Sequence, residues 1–458
     1  MLETAASIIE KNIADQKVFF SSGQTRAIEF RIKQLRKLKQ AILQHQDKIE
    51  QALWKDLHKS PEEAFLTEIS IVIGEIDSHV KNLRKWAKPK RVPTPIFLQP
   101  SSSKLIYEPL GIALVVAPWN YPFQLLMNPL DGAISSGCCC VLKPSPDAPT
   151  IAKVMEEMIT ENFDSNYISI FQGGKEANTI LFSQAFDLIF FTGSSKVGKV
   201  VMKAAAENLT PVILELGGKS PCIVDSDADI DVAAKRIAWG KLINAGQTCI
   251  APDYLFAHES IKDELLNKIA KSIELMYGKE IKESRFYPRI ITQKAFERLT
   301  GLLSQGTIHT GGEIDPEEKF MAPTIIDNIK PDNKIMQEEI FGPILPVMSF
   351  NQVEEAISYI NEHEKPLAFY YFGKNKKAKE VLAKTTSGGA CINDTLLHIV
   401  NHKLPFGGVG NSGIGKYHGH QSFIAFSNQR AVVTSPTWID IPLKYVPFKG
   451  FILLKKFI

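Results

Sequence analysis

Cysteine is scarce in this chain: there are six in 458 residues, and three of those are consecutive, Cys138, Cys139 and Cys140. No C-x-x-C pair and no His/Cys cluster at zinc spacing occurs, so a disulfide framework is not expected, no metal is expected, and a reducing compartment fits best. No stretch approaches the ~20 apolar residues that span a bilayer. The N-terminal residues MLETAASIIEKNIADQ carry acids where a signal peptide needs an apolar run. An excess of one charge is also missing. Lys and Arg number 53 against 50 Asp and Glu, a net +3, too balanced for a nucleic-acid partner. The expected setting is soluble and cytoplasmic. The mild basicity belongs to residues 441–458, which hold four lysines and no acid.

What is present is an ordinary globular balance, 44% hydrophobic and 22% charged, in a chain long enough for about two to three domains. Residues 30–57 predict one amphipathic helix, with Ile32, Leu35, Leu38, Ile42, Ile49 and Leu53 on a single stripe. Residues 88–103 hold four prolines, too many for a helix or central strand. They read as a linker, an edge arm or an excursion from the domain. After them, short apolar runs at 111–117, 138–142, 167–172 and 188–192 alternate with polar helical stretches such as 151–161. That alternation means βαβ units and a doubly wound α/β domain. The cysteine triplet reads as small hydrophobes in one of those strands. A second α/β region runs from 220 to about 410.

Several residues then stand out by chemistry. The segment Phe191-Thr192-Gly193-Ser194-Ser195-Lys196-Val197-Gly198 follows a strand and opens a helix. Its glycines let backbone approach a phosphate at a helix N-terminus, but the spacing is G-x-x-x-x-G, and an ordinary strand-to-helix turn is equally open. Cys249, in NAGQTCIAPDY, lies in a Gly/Pro-bounded polar segment where a catalytic thiolate would be accessible. Glu215 sits between apolar neighbours before a Gly-Gly turn, either a paired structural group or a base with a raised pKa. Asn120, in PWNYP, ends the first strand at the edge where open α/β sheets place ligands. It reads as an oxyanion donor or a turn residue.

Taken together, PWNYPF at 118–123, VLKPS at 141–145, FTGSSKVGK at 191–199, LELGGKSPC at 214–222, GQTCIAPDY at 246–254, EEIFGPILP at 338–346 and LPFGGVGNSGIGKYHG at 404–419 resemble the aldehyde dehydrogenase superfamily. GVGNSG with KYHG points to its class 3, fatty-aldehyde-like branch, and the resemblance runs from about 20 to 433. It implies a Rossmann-like doubly wound NAD(P)-binding domain (1–87 and 106–213), a second α/β catalytic domain (214–415), a small β oligomerisation arm (88–105 and 416–440) and a C-terminal tail (441–458). By position it implies Cys249 as nucleophile, Glu215 as general base, and Asn120 as oxyanion donor beside the Cys249 N–H. Lys143 would hold the adenosine ribose. Gly193, Ser194 and Gly198 would pass beneath the adenosine half and pyrophosphate. Glu339 and Phe341 would position the nicotinamide end, and Tyr121 and Phe406 would line the aldehyde tunnel.

The activity so implied is oxidation of aldehydes, medium- or long-chain aliphatic or aromatic, to acids through a Cys249 thiohemiacetal and thioester. An acyl-transferring or reductive relative is the alternative; having Glu215 as well as Cys249 favours hydrolysis. One departure concerns the cofactor. The family often has Glu three positions after the lysine; here Pro146 stands there. Losing that carboxylate removes a repulsion against a 2′-phosphate, so use of both NAD and NADP is expected, with Asp147 as the candidate that restores part of the repulsion. The arm and the absence of a long N-terminal extension imply a homodimer. The tail, IPLKYVPFKGFILLKKFI, is too interrupted to span a bilayer. Its apolar residues beside four lysines suit either weak contact with a membrane surface or docking over the tunnel mouth or the partner subunit.

Overall fold

The computed structural model describes residues 3–440, 442–448, 451 and 455. Its first sheet has six strands in the order Gly413–Ile414, Val212–Glu215, Leu188–Thr192, Ile112–Val116, Cys139–Lys143 and Ile168–Ile170. All neighbours are parallel except Gly413–Ile414 against Val212–Glu215. The inner strands are buried throughout, as expected for apolar runs covered by helices on both faces. The cysteine triplet is part of this core: Cys138, Cys139 and Cys140 are buried, and burial pushes the Cys139 thiol up to about 12.

The stripe Ile32, Leu35, Leu38, Ile42, Ile49 and Leu53 is wholly buried, but the single helix expected over 30–57 is two, Ile28–Gln44 and Gln46–Leu57. His45 leaves helical geometry between them, with its Nδ1 2.9 Å from the Ala41 carbonyl oxygen. A side chain that bonds the preceding turn competes with the helix ladder.

A second, seven-stranded sheet follows in the order Thr307–Thr310, Thr324–Asp327, Ile344–Phe350, Tyr254–His258, Pro221–Val224, Ala368–Phe372 and Gly389–Ile392. It is parallel apart from its Thr307–Thr310 edge. The proline-rich segment is an arm. Lys90–Val92 and Ser102–Pro109 pair antiparallel, and Ser427–Thr434 completes a three-stranded sheet that leaves Ile96, Phe97 and Val433 exposed. The turn before that last strand is pinned by buried Glu75, which accepts from His402 Nδ1 at 2.7 Å, from the Gly419 N–H, and lies 3.3 Å from His79 Nε2. Burial is outweighed here by hydrogen bonds from the His402 and His79 imidazoles, with the charge of His79 and His418, which hold Glu75 well below the usual carboxylate range.

In the tail, Pro442–Lys444 form a short turn, and Tyr445, Val446, Phe448 and Phe451 are exposed. Lys449, Ile452, Leu453, Leu454, Lys456, Phe457 and Ile458, on which the surface-contact and docking expectations also rest, lie outside the described residues. Among the described residues, no helix is long and apolar enough to cross a membrane.

Candidate active site

Chain order reverses in the first sheet between Ile112–Val116 and Leu188–Thr192. Open α/β sheets bind ligands in the crevice at such a point, outside the carboxyl ends of the strands. The first of these strands runs into the loop with Asn120 and Tyr121, and the second into Gly193 and Ser194. Glu215 ends the next strand over. Residues 95 positions apart in the sequence are thus delivered to one edge by topology alone.

Cys249 comes to the same place from the other sheet. The turn Ile243–Gly246 precedes it, with Asn244 and Ala245 at φ 52° and 50°, left-handed values that non-glycine residues adopt at a cost. Gly246, at φ 73°, has no room for a side chain: a Cβ would strike the Gly342 carbonyl. The strained turn is held by hydrogen bonds. Asn244 Nδ2 donates to the carbonyl oxygens of Asn120 (2.8 Å) and Gln247 (3.1 Å), and its N–H donates to Glu63 at 2.7 Å. Asn120 Nδ2 donates to the Gln247 carbonyl at 3.0 Å. Tyr121 Oη and Thr248 Oγ1 lie 2.7 Å apart.

Cys249, Glu215, Tyr121 and Phe406 line one cavity of about 460 Å³. Its remaining wall is mainly apolar, including Leu66, Leu125, Trp239, Ile243 and Val400. Asn120, only 2% exposed, does not line the cavity, whereas its neighbour Tyr121 does. Phe406 is fixed by backbone hydrogen bonds in both directions with Tyr417. Glu215 is 2% exposed, and neither carboxylate oxygen has a hydrogen-bond partner among the described residues. Burial therefore pushes its pKa well above the carboxylate range, with Lys416 opposing. The Cys249 thiol is also pushed up, by burial first and then by Glu339 and Glu215; the N–H groups of Cys249 and Ile250 pull the other way without winning. The donors expected to depress this thiol's pKa are outweighed.

A second cavity, about 280 Å³, is lined by Ser195, Gly217, Gly218, Lys219, Glu339 and Asn411 among others. The Glu339 carboxylate lies against Gly217, where a Cβ would collide with it. Burial raises Glu339 to about 8, with Asp253 adding. Phe341 follows at φ 52°, its ring edge-on to Trp119 at 5.4 Å. Ser194 caps the helix Ser195–Ala206, accepting from the Val197 N–H at 3.4 Å, and Gly198 packs where a Cβ would sit 2.8 Å from Leu216. Lys143 is 1% exposed, and its hydrogen bond is to the adjacent Pro144 carbonyl at 2.8 Å. Burial lowers it to about 8. A buried ammonium with no ion pair among the described residues suits a ligand that brings hydroxyls or negative charge. These residues fit a dinucleotide.

Sequence reasoning missed several contributors. Lys59, Glu63 and Glu68 come from the N-terminal helical region, far in sequence from the residues they touch. Lys219 pairs with Asp253 and donates to the Ile335 (2.9 Å) and Glu338 (3.1 Å) carbonyls, steadying the loop that carries Glu339. Lys219 was legible as part of LELGGK, but its partner was not.

The family model for the aldehyde dehydrogenase family matches residues 3–432. The 4,4'-diaponeurosporen-aldehyde dehydrogenase of Staphylococcus aureus is 46% identical over 447 residues, 97% of each chain. The dimeric NADP-preferring aldehyde dehydrogenase of Rattus norvegicus is 44% identical over 426 residues, 93% of this chain and 94% of the relative. The solved substrate-bound AldH of Staphylococcus aureus superposes with a TM-score of 0.96 at 45% identity, covering 98% of this chain and 99% of that one. A thiol and an unpaired carboxylate facing one apolar cavity, beside a crevice that fits a dinucleotide, agree with that kinship: the chain belongs to the aldehyde dehydrogenase family, on its class 3 branch, and oxidises aldehydes to carboxylic acids with NAD or NADP.

Proposed function

We propose that Cys249, Glu215 and Asn120 carry this oxidation and that the substrates are medium- and long-chain aliphatic or aromatic aldehydes. The supporting observation is the shared, largely apolar cavity that ends on Cys249 and Glu215. An apolar chain gains about 0.8 kcal/mol per buried methylene in such a cavity, which favours longer aldehydes. The Staphylococcus relative is named for 4,4'-diaponeurosporen-aldehyde.

The Cys249 thiol gives its proton to solvent water, and the thiolate sulfur bonds to the aldehyde carbon. The oxygen becomes an oxyanion, which the Cys249 N–H and Asn120 would stabilise; the Asn120 amide has a second N–H beyond the one given to Gln247. The bound nicotinamide supplies the hydride acceptor. Loss of hydride from carbon leaves a thioester on Cys249. Glu215 then takes a proton from water as its oxygen attacks that thioester, and the Cys249 thiolate departs as the acid forms. Lys143, Gly193, Ser194, Gly198, Glu339 and Phe341 would hold the dinucleotide, with Tyr121 and Phe406 shaping the aldehyde path.

Kinetics across acetaldehyde, hexanal, decanal, hexadecanal, benzaldehyde and 4,4'-diaponeurosporen-aldehyde test the substrate class. kcat/KM should rise along the aliphatic series, and a maximum at acetaldehyde would contradict it.

The assembly we propose is a homodimer built through the arm sheet. Exposed Ile96, Phe97 and Val433 on that arm and the dimeric relative support it. A cytoplasmic location is proposed as well, consistent with six free cysteines, and fractionation of the source cells would check it. For the tail, docking on the tunnel mouth or partner is preferred over a membrane surface. Truncation after Pro436 tests this, since loss of salt-sensitive vesicle binding with unchanged kinetics would favour the membrane.

A further inference from the structure

We infer that Lys59 and Glu68 form a buried clamp that positions Asn120 for oxyanion binding, which makes them positioning residues for this reaction. The inference rests on Asn120 acting as an oxyanion donor.

Both side chains are 0% exposed, with Lys59 Nζ 2.6 Å from Glu68 Oε1. Each then reaches the loop that carries Asn120. Glu68 Oε2 accepts from the N–H groups of Phe123 (2.9 Å) and Gln124 (3.2 Å). These open the helix Gln124–Ser136, where a carboxylate satisfies orphan donors and meets the positive end of the dipole. Lys59 Nζ donates to the Asn120 carbonyl at 3.3 Å and lies 4.3 Å from the Tyr121 ring centre. That carbonyl also receives Asn244 Nδ2 at 2.8 Å. The backbone of Asn120 is thus fixed from both sides, and its amide is aimed by the Gln247 carbonyl.

The local backbone supports a dedicated role. Glu68 lies in a single π-helical turn, Phe65–Ile69. Such turns are rare and cluster at functional sites, because the extra residue rotates the face that follows. Here the turn sends Glu68 inward, while Leu66 and Thr67 line the aldehyde cavity. A buried ion pair is weak as a stabiliser, yet it holds fixed charges at defined places, as a preorganised oxyanion site requires.

The test is a double-mutant cycle read by pre-steady-state formation of reduced cofactor. Lys59→Met alone would strand a buried carboxylate, so the clamp is removed as Lys59→Met/Glu68→Gln, which eliminates both charges and keeps an acceptor for the Phe123 N–H. The burst rate should fall roughly tenfold to a hundredfold, with cofactor affinity and aldehyde KM unchanged. Asn120→Ala should lose about a hundredfold or more, and adding the clamp variant to it should cost nothing further. A clamp variant at wild-type burst rate, or one that loses the same factor in the Asn120→Ala background, overturns the clamp. Asn120→Ala at wild-type rate overturns the oxyanion assignment and the clamp with it. Should the double variant not fold, Lys59→Gln/Glu68→Gln, which also removes both charges and keeps a donor at 59, replaces it and must meet the same two criteria.

Discussion

Tyr121 and Thr248 share a 2.7 Å hydrogen bond between hydroxyls, and through it the loop of one sheet that carries Asn120 is tied to the loop of the other that carries Cys249. The Tyr121 ring is 7% exposed and lies under Lys59, so the bond forms where little water competes.

Tyr121→Phe should therefore lower stability by about 1 kcal/mol, the net worth of one such bond. Thr248 keeps a weaker contact with the Ile243 carbonyl at 3.4 Å, which limits the loss. Urea denaturation checks the stability, and a kcat lowered with unchanged cofactor affinity would show that the two loops had shifted against each other. Wild-type stability and kcat together would mean that the bond ties nothing.

Glu215 gives a pH-dependent prediction with a definite sign. Its folded pKa is raised by burial, so its full stability is present below the unfolded value of about 4.5 and is lost as pH rises toward the folded pKa. In that window the unfolded state ionises and the native state does not, costing about 1.4 kcal/mol per pH unit. Glu215→Gln removes the titration. The gap between the variant and the wild type should move in the variant's favour as pH rises from about 4.5 to about 6, and level off once Glu215 ionises in the folded enzyme, as its work as a base requires. Denaturation midpoints across that range decide it; a constant gap would mean that burial does not raise the Glu215 pKa.

Cofactor choice follows from Lys143. The family glutamate is replaced by exposed Pro146, and the acids that act on Lys143 are Glu3 and then Asp147. Glu3 is held by the N–H groups of Gly174 (2.7 Å) and Ala177 (3.1 Å). The specificity constants for NAD and NADP should lie within about a hundredfold, roughly 3 kcal/mol. Glu3→Gln should shift the ratio toward NADP, and an NAD preference far beyond a hundredfold would point to a stronger discriminator.

Sedimentation should show a dimer at micromolar concentration, and deletion of the exposed Ile96-Phe97 tip should weaken it. A stable monomer of the full chain would contradict the arm's proposed role.

The parts of this account that could be read from sequence are those set by local pattern. Buried strands such as Leu188–Thr192 appear as largely apolar runs, and the motif strings mark Cys249 and Glu215, which line one cavity. What could not be read depends on distant partners. Glu68 binds N–H groups 55 and 56 positions away, and nothing in its own neighbourhood marks it as different from a surface glutamate. The left-handed turn at Asn244 and Ala245 is equally hidden, since only tertiary hydrogen bonds keep non-glycine residues there. The break at His45 preserves the apolar stripe across it, so periodicity passes over it without a signal. Glu75, His402 and His418, with ligand atoms within 4.8 Å of one another, show that sequence spacing says little about which histidines meet.

The central claim is that Glu215 activates the water that releases the acid from Cys249, and Glu215→Gln mixed with aldehyde and excess cofactor near neutral pH tests it most directly. The account predicts a burst of roughly one reduced cofactor per site with little turnover after it, and an acyl mass that maps to Cys249. Steady turnover at the wild-type rate, or an acyl group on another residue, would contradict it.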